Sequence, residues 1–185
     1  IDQLFGAPEK GIQLRTWIDE IDSYTEDPEI DGMIIDMGHV RAHFSKRGEI
    51  YDAFMRFKDA DKTIYVYADK GISNSDYLLV SMADEIYLNE YTGIDLRGLR
   101  LKVTFFRSLL DTLLIVPEVF RVEHEGKSYK TAADPFLNKK MSDEMRENYG
   151  DLGEDLYKLF VSYISDGRGW DEKHTQEIID NGPYA

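Results

Sequence analysis

Apolar positions recur along the chain with two alternating periods. Leu14, Trp17, Ile18 and Ile21 fall at helical spacing, and Asp27-Pro28 stops that helix. Ile30-Asp31-Gly32-Met33-Ile34-Ile35-Asp36-Met37 reads as a buried strand, and Gly38 to His43 as a polar loop. Ile50, Phe54 and Phe57 make a second helical stripe. Thr63-Ile64-Tyr65-Val66-Tyr67-Ala68 is the next strand, and Tyr77, Val80 and Ser81 lie on a helix that follows Asn74. Glu85-Ile86-Tyr87-Leu88 is a short strand. Phe105, Phe106, Leu109, Leu110 and Leu113 form another apolar face, and Val119-Phe120-Arg121-Val122 reads as a buried strand. From Ser142 to Ile164, the residues Met145, Tyr149, Leu152, Leu156, Phe160 and Ile164 keep the spacing of one helical face, predicting a long amphipathic helix. Gly150 and Gly153 weaken its middle by about 1 kcal/mol each relative to alanine. Asp171 starts a last helix through Ile178-Ile179, which Asn181-Gly182 ends. Short strands joined by helices give the α/β class.

Composition narrows the choice. A chain of 185 residues, 42% of them hydrophobic, has material for one domain with a core, read here as 1–185. Net charge is −14, with 36 acidic against 22 basic residues, which opposes binding to nucleic acid or to anionic lipid. With no cysteine, thiol catalysis and cysteine-ligated zinc are excluded. No apolar run reaches the roughly 18–20 residues of a membrane helix. The start at Ile1 and the end at Ala185 suggest a piece of a longer protein.

The chemistry centres on Ser128-Tyr129-Lys130-Thr131-Ala132-Ala133-Asp134-Pro135-Phe136, where one lysine stands among small and aromatic residues. A lysine taken out of water loses basicity, because desolvation disfavours its charged form. Reaching the useful range of about 7–8 from about 10.4 takes roughly 4 kcal/mol, and the lysine can then deprotonate a serine nucleophile. On spacing alone the alternative stands beside it: a lysine snorkelling at a strand end, the commoner fate of this residue. Asp134 is close enough in sequence to pair with Lys130, which would oppose a role as base. Pairing with the backbone at the Pro135 turn is its other option.

The segment Leu109 to Val122, followed by Ser128 to Phe136, resembles the bacterial signal peptide peptidase A family, also called protease IV. The family pattern is a leucine-rich helix, a strand ending in Phe-Arg-Val, then Tyr-Lys-Ser-Ala and a Pro-Phe. The resemblance implies a spiral of β/α units shared with crotonases and caseinolytic proteases. It also implies that Lys130 is the general base of a Ser/Lys dyad, lined by Tyr129 and Thr131. No cofactor or metal is expected.

Other parts of the family pattern are missing. The nucleophilic serine opens a helix in a Ser-Gly-Gly-Tyr arrangement, but here that place falls on Asn74, with Ser75 and Asp76 in place of glycines. Ser73 and Ser75 flank it and are read as helix caps. The paired glycines of the oxyanion loop are replaced by Asp36-Met37-Gly38-His39-Val40-Arg41. Within the family, the long form carries two homologous halves; the first supplies the lysine, and the second supplies the serine and the glycine loop. The chain resembles that first half, so the isolated chain is expected to be inactive. The expected partners are a second protease half, further copies in a ring-like oligomer, and peptide substrates, namely cleaved signal peptides. The membrane is reached through an anchor outside this chain, and the expected location is the extracytoplasmic face of the inner membrane in the bacterial cell envelope. The competing reading is a non-catalytic assembly domain of the same fold, with Lys130 held in a salt bridge. His39 and His43 are read as surface or loop residues, and Asp19, Glu20 and Asp22 as a solvated face.

Overall fold

The computed structural model describes residues 13–121 and 128–184. The described chain has α/β architecture around a parallel sheet. Helix α1 spans Leu14–Glu26, strand β1 Gly32–Asp36, helix α2 Phe44–Asp59, strand β2 Thr63–Ala68, helix α3 Asn74–Val80 and strand β3 Glu85–Leu88. Helix α4 spans Arg107–Thr112, a 3-10 turn Thr131–Ala133, helix α5 Asp134–Leu137, helix α6 Asp143–Arg168 and helix α7 Glu172–Asn181. The chain divides into two compact units: Ile1–Arg97 with Val161–Ala185, and Gly98–Phe160.

In the first unit the sheet order is β1-β2-β3, all parallel, as helical crossovers require. Gly32 pairs with Thr63 and Asp36 with Tyr67, while Tyr65 pairs with Glu85. Strand alternation sends Ile64, Val66 and Ala68 to one face, where all three are fully buried. That side also holds the core around Phe57, Leu78 and Met82. The other face presents Ile34, Tyr65, Tyr67 and Tyr87 to solvent. Here β1 departs from the expected buried strand: Ile34 is 79% exposed. Its apolar run suits a strand covered on both faces, and among the described residues only one face is covered.

Helices α1 and α2 pack together, as do α2 and α3. Arg56 of α2 grips both oxygens of Asp22 of α1 in a bidentate pair. The C-terminal part of α6 joins this unit through Tyr163, whose carbonyl accepts from the Tyr51 hydroxyl at 2.9 Å. Helix α7 is held by a buried bond between the Ser165 and Thr175 hydroxyls, 2.8 Å apart, and is capped by Asp171.

In the second unit, α6 begins as expected: the Ser142 hydroxyl accepts from the Met145 amide at 3.2 Å. The rings of Phe106 and Phe136 stack at 5.6 Å. The expected strand at Val119-Phe120-Arg121-Val122 is not formed. Residues 119–121 have no regular structure, Phe120 is 98% exposed, and Val122 lies outside the described residues. An apolar run becomes a strand only where a neighbour accepts its backbone bonds.

Candidate active site

Lys130 precedes the Thr131–Ala133 turn, in the second unit, and its side chain is exposed. Its two neighbours are fixed. The Tyr129 hydroxyl donates to the Glu147 carboxylate at 2.9 Å, and the Tyr129 carbonyl accepts from the Asn148 amide at 3.1 Å. Glu147 and Asn148 sit in the first turns of α6, so one helix face anchors the residue before the lysine. Thr131, on the other side, is buried. The bond to Glu147, a carboxylate at hydrogen-bonding distance, raises the Tyr129 phenol and spends its hydroxyl on the helix.

Asp134 does not hold Lys130. Its carboxylate is 1% exposed and takes a 3.1 Å bond from Arg121 and a short bond from the Ser142 hydroxyl. Neither partner expected from the sequence, Lys130 or the backbone at Pro135, takes part in these bonds: one buried carboxylate ties the Arg121 segment, the turn and the cap of α6 together through the Arg121 and Ser142 side chains. Among the described residues Lys130 has no carboxylate within ion-pairing distance.

Asn74, where the resemblance leads one to expect the nucleophile, lies in the first unit. Asn74 is the first residue of α3, and its side-chain oxygen accepts the Arg97 amide at 3.0 Å. Ser73 is the N-cap, accepting the Asp76 amide, as expected. Its hydroxyl proton goes to the Asp76 carboxylate at 2.6 Å. Ser75 is not the cap expected of it: it lies inside α3, exposed, with its hydroxyl 3.4 Å from that of Ser73.

Asp76, expected from the resemblance to replace a glycine, carries a feature the motif reading passed over. It is 4% exposed and ion-paired to Arg47, equally buried, at 2.7 Å. The His39 imidazole Nδ1 lies 3.0 Å from its other oxygen. Since an ionised carboxylate only accepts, Nδ1 carries the proton in this pair. Burial alone would raise the Asp76 carboxyl, but hydrogen bonds from Ser73, Arg47 and His39 outweigh it and hold the group below the usual carboxylate range. Arg47 also donates to the carbonyls of Ala42 and Ser75, both at 2.9 Å, and closely to that of Val40. One guanidinium therefore joins the loop at Val40 and Ala42 to the start of α3. A sequence signal for this existed: Arg47 falls at helical spacing on the stripe of Ile50, Phe54 and Phe57, a position otherwise given to buried apolar residues. Beside this cluster, at the C-terminal ends of β1 and β2, lies a crevice of about 520 Å³ lined by Asp36, Gly38, His39, Tyr67, Asp69 and Lys70.

The histidine reading is refined in the same way. His39 is a loop residue with an exposed ring, but one tethered to a buried carboxylate. Among the described residues no group of acidic and imidazole side chains is arranged to hold a metal. No helix among them is long and apolar enough to cross a membrane.

The chain is similar to "Protease 4" of Haemophilus influenzae, 35% identical over 144 residues, which cover 77% of this chain and 23% of that protein. It is similar to "Serine protease SPPA, chloroplastic" of Arabidopsis thaliana, 25% identical over 183 residues, covering 99% of this chain and 26% of that protein. The chain thus spans about a quarter of the length of these relatives. A solved enoyl-CoA hydratase/isomerase family protein from Silicibacter pomeroyi overlaps 91% of this chain and 88% of its own at 12% identity, with a TM-score of 0.38. The model of "Peptidase family S49" matches residues 56–185, and the chain belongs to that family.

Proposed function

We propose that this chain is the lysine-bearing half of a composite Ser/Lys endopeptidase, the serine being supplied by a second protease half of the longer protein. The observation that carries the reading is the setting of Lys130 against that of Asn74. The lysine is mounted on an anchored turn, and the neighbouring carboxylate is committed elsewhere. The nucleophile place holds an amide side chain already bonded to a backbone. A carboxamide oxygen cannot form an acyl-enzyme, whereas an oriented lysine can take a proton from a hydroxyl brought to it.

Lys130 is exposed in this chain. The desolvation that makes a base of it comes, on this reading, from the second half closing over the turn. Lys130 Nζ then accepts the serine proton as the hydroxyl oxygen attacks the scissile carbonyl, and returns it to the leaving amine. The oxyanion donors belong to the serine-bearing half. The substrates this arrangement suits are extended apolar peptides such as cleaved signal peptides, met at the extracytoplasmic face of the bacterial inner membrane. Assembly into a ring-like homo-oligomer is part of the same reading.

The exposure of Lys130 favours a second reading, a non-catalytic assembly domain. Turnover of a hydrophobic, signal-like peptide by the full-length protein, with and without Lys130→Ala, separates the two. Turnover lost with the fold intact supports the composite site. Unchanged turnover makes this half a scaffold.

A further inference from the structure

The Arg47–Asp76 cluster has more contacts than an incidental ion pair needs. Arg47 and Asp76 side chains are 5% and 6% exposed. The guanidinium reaches three backbone carbonyls, two in the loop at Val40 and Ala42 and one in the helix start at Ser75, besides the carboxylate. The carboxylate is equally occupied: one oxygen takes Arg47 and, at 3.4 Å, the Val40 amide, and the other takes the Ser73 hydroxyl and His39. Among the described residues no buried side-chain polar atom is left without a partner. A buried charge pair is tolerated on these terms, since desolvation must be offset by a complete set of bonds.

We propose that this pair is a structural lock that closes the chain's own nucleophile place, so that a serine restored at position 74 would not become a nucleophile. The proposal rests on the reading that Asn74 stands where the family places its serine. A nucleophile needs a base and a loop free to present amides to the developing oxyanion. The Arg47 guanidinium offers donors only and no acceptor for a proton. Asp76 is surrounded by donors and is a weak base. The loop from Val40 to Ala42 is bound through its carbonyls to Arg47, which fixes a backbone that paired glycines would leave free to turn its amides. Asn74 is itself used, as the acceptor for Arg97. The lock is therefore built into the loop at Val40 and Ala42, Arg47, the α3 start at Asn74 and Asp76, and Arg97, and one reversion does not undo it.

Two measurements on the full-length protein test this. The first is limited trypsin cleavage after Arg41, an exposed residue in the loop that the lock holds. Asp76→Ala alone strands a buried cation and risks unfolding, so the variant is the double substitution Arg47→Met with Asp76→Leu, which removes both charges and keeps the volume. Circular dichroism confirms its fold. Cleavage after Arg41 is expected to quicken at least tenfold; an unchanged rate would overturn the lock. The second is Asn74→Ser treated with a fluorophosphonate and mapped by peptide mass. No adduct is expected at position 74, and a stoichiometric adduct there would overturn the proposal. Neither result depends on Lys130: failure of Lys130→Ala to affect turnover would remove the composite-site reading and leave the trypsin result standing.

Discussion

Substituting Asp76 by alanine tests the energetics of the half-site most directly. The carboxylate is 4% exposed, and its loss leaves the Arg47 guanidinium buried among carbonyls with no countercharge. Breaking a buried pair from one side costs about 3–5 kcal/mol, because the remaining charge stays desolvated. The Ser73 cap bond from the Asp76 amide survives, but the hydroxyl loses its acceptor, adding about 1 kcal/mol. Against a domain stability of about 5–15 kcal/mol, the folded-to-unfolded ratio falls by two or more orders of magnitude. Urea denaturation followed by circular dichroism reads this as a lower midpoint at unchanged slope. Removing both partners by Arg47→Met with Asp76→Leu should return most of the loss, since a well-packed apolar pair is often neutral relative to a buried ion pair. The pH dependence carries a sign. The Asp76 carboxyl is held below its ordinary value in the folded state. Its contribution is therefore present above the unfolded value, about 3.9, and is lost as pH falls through the lower folded value. The gap between wild type and Asp76→Ala should be flat from neutral pH down to about 5 and narrow below about 4. A cost under about 1 kcal/mol at neutral pH, or a gap that widens on acidification, would refute the account of Asp76 as a buried, ionised anchor.

Other substitutions separate the roles of the remaining residues. Lys130→Ala should leave urea stability within about 0.5 kcal/mol, as for an exposed side chain, while abolishing peptide turnover by the full-length protein. Thr175→Val should cost about 1–3 kcal/mol in the same denaturation assay, because Thr175 is fully buried and its loss strands the Ser165 hydroxyl. Phe57→Ala, at a fully buried ring, should cost about 3–5 kcal/mol. Gly71→Ala should destabilise the loop before α3 by about 1–2 kcal/mol, since φ is +77° there and a Cβ would lie 2.7 Å from the Gly93 carbonyl oxygen; a neutral effect on the thermal midpoint would show that the backbone relaxes.

Legibility in the sequence followed the range of the forces involved. Strand β2 was readable end to end, because its alternation is fixed locally by one buried face and flanking helices on the same side. The caps at Ser73, Ser142 and Asp171 were readable for the same reason: each bond spans three residues. Segment 119–121 was misread because its apolar character states a demand for cover without stating what supplies it. The same holds for Ile34, apolar in sequence and exposed in the chain. Arg47 and Asp76, 29 residues apart, escaped the motif reading because no local rule links them, although each breaks an expectation in place: a cation on an apolar stripe, and a carboxylate where a glycine would open a helix.

The two halves of the candidate chemistry have opposite physical requirements, and the chain divides them. A serine nucleophile needs a loop with little side chain, so that amides approach the substrate, and that openness leaves backbone groups to be satisfied by water. On the composite-site reading the serine is absent here, and nothing keeps the space open. A buried pair such as Arg47–Asp76 then satisfies three carbonyls and an amide from within the chain. The lysine has the reverse requirement. It becomes a base only when covered, yet a charged lysine buried in a chain lacking its serine would carry a desolvation cost with no partner to offset it. An exposed Lys130 on a turn anchored by Glu147, Asn148 and Asp134 avoids that cost in the separate chain and keeps the orientation for the covered state. If the cover comes with the serine, base and nucleophile are activated in the same step. Hydrolysis then depends on assembly, because neither half alone meets the conditions for proton transfer.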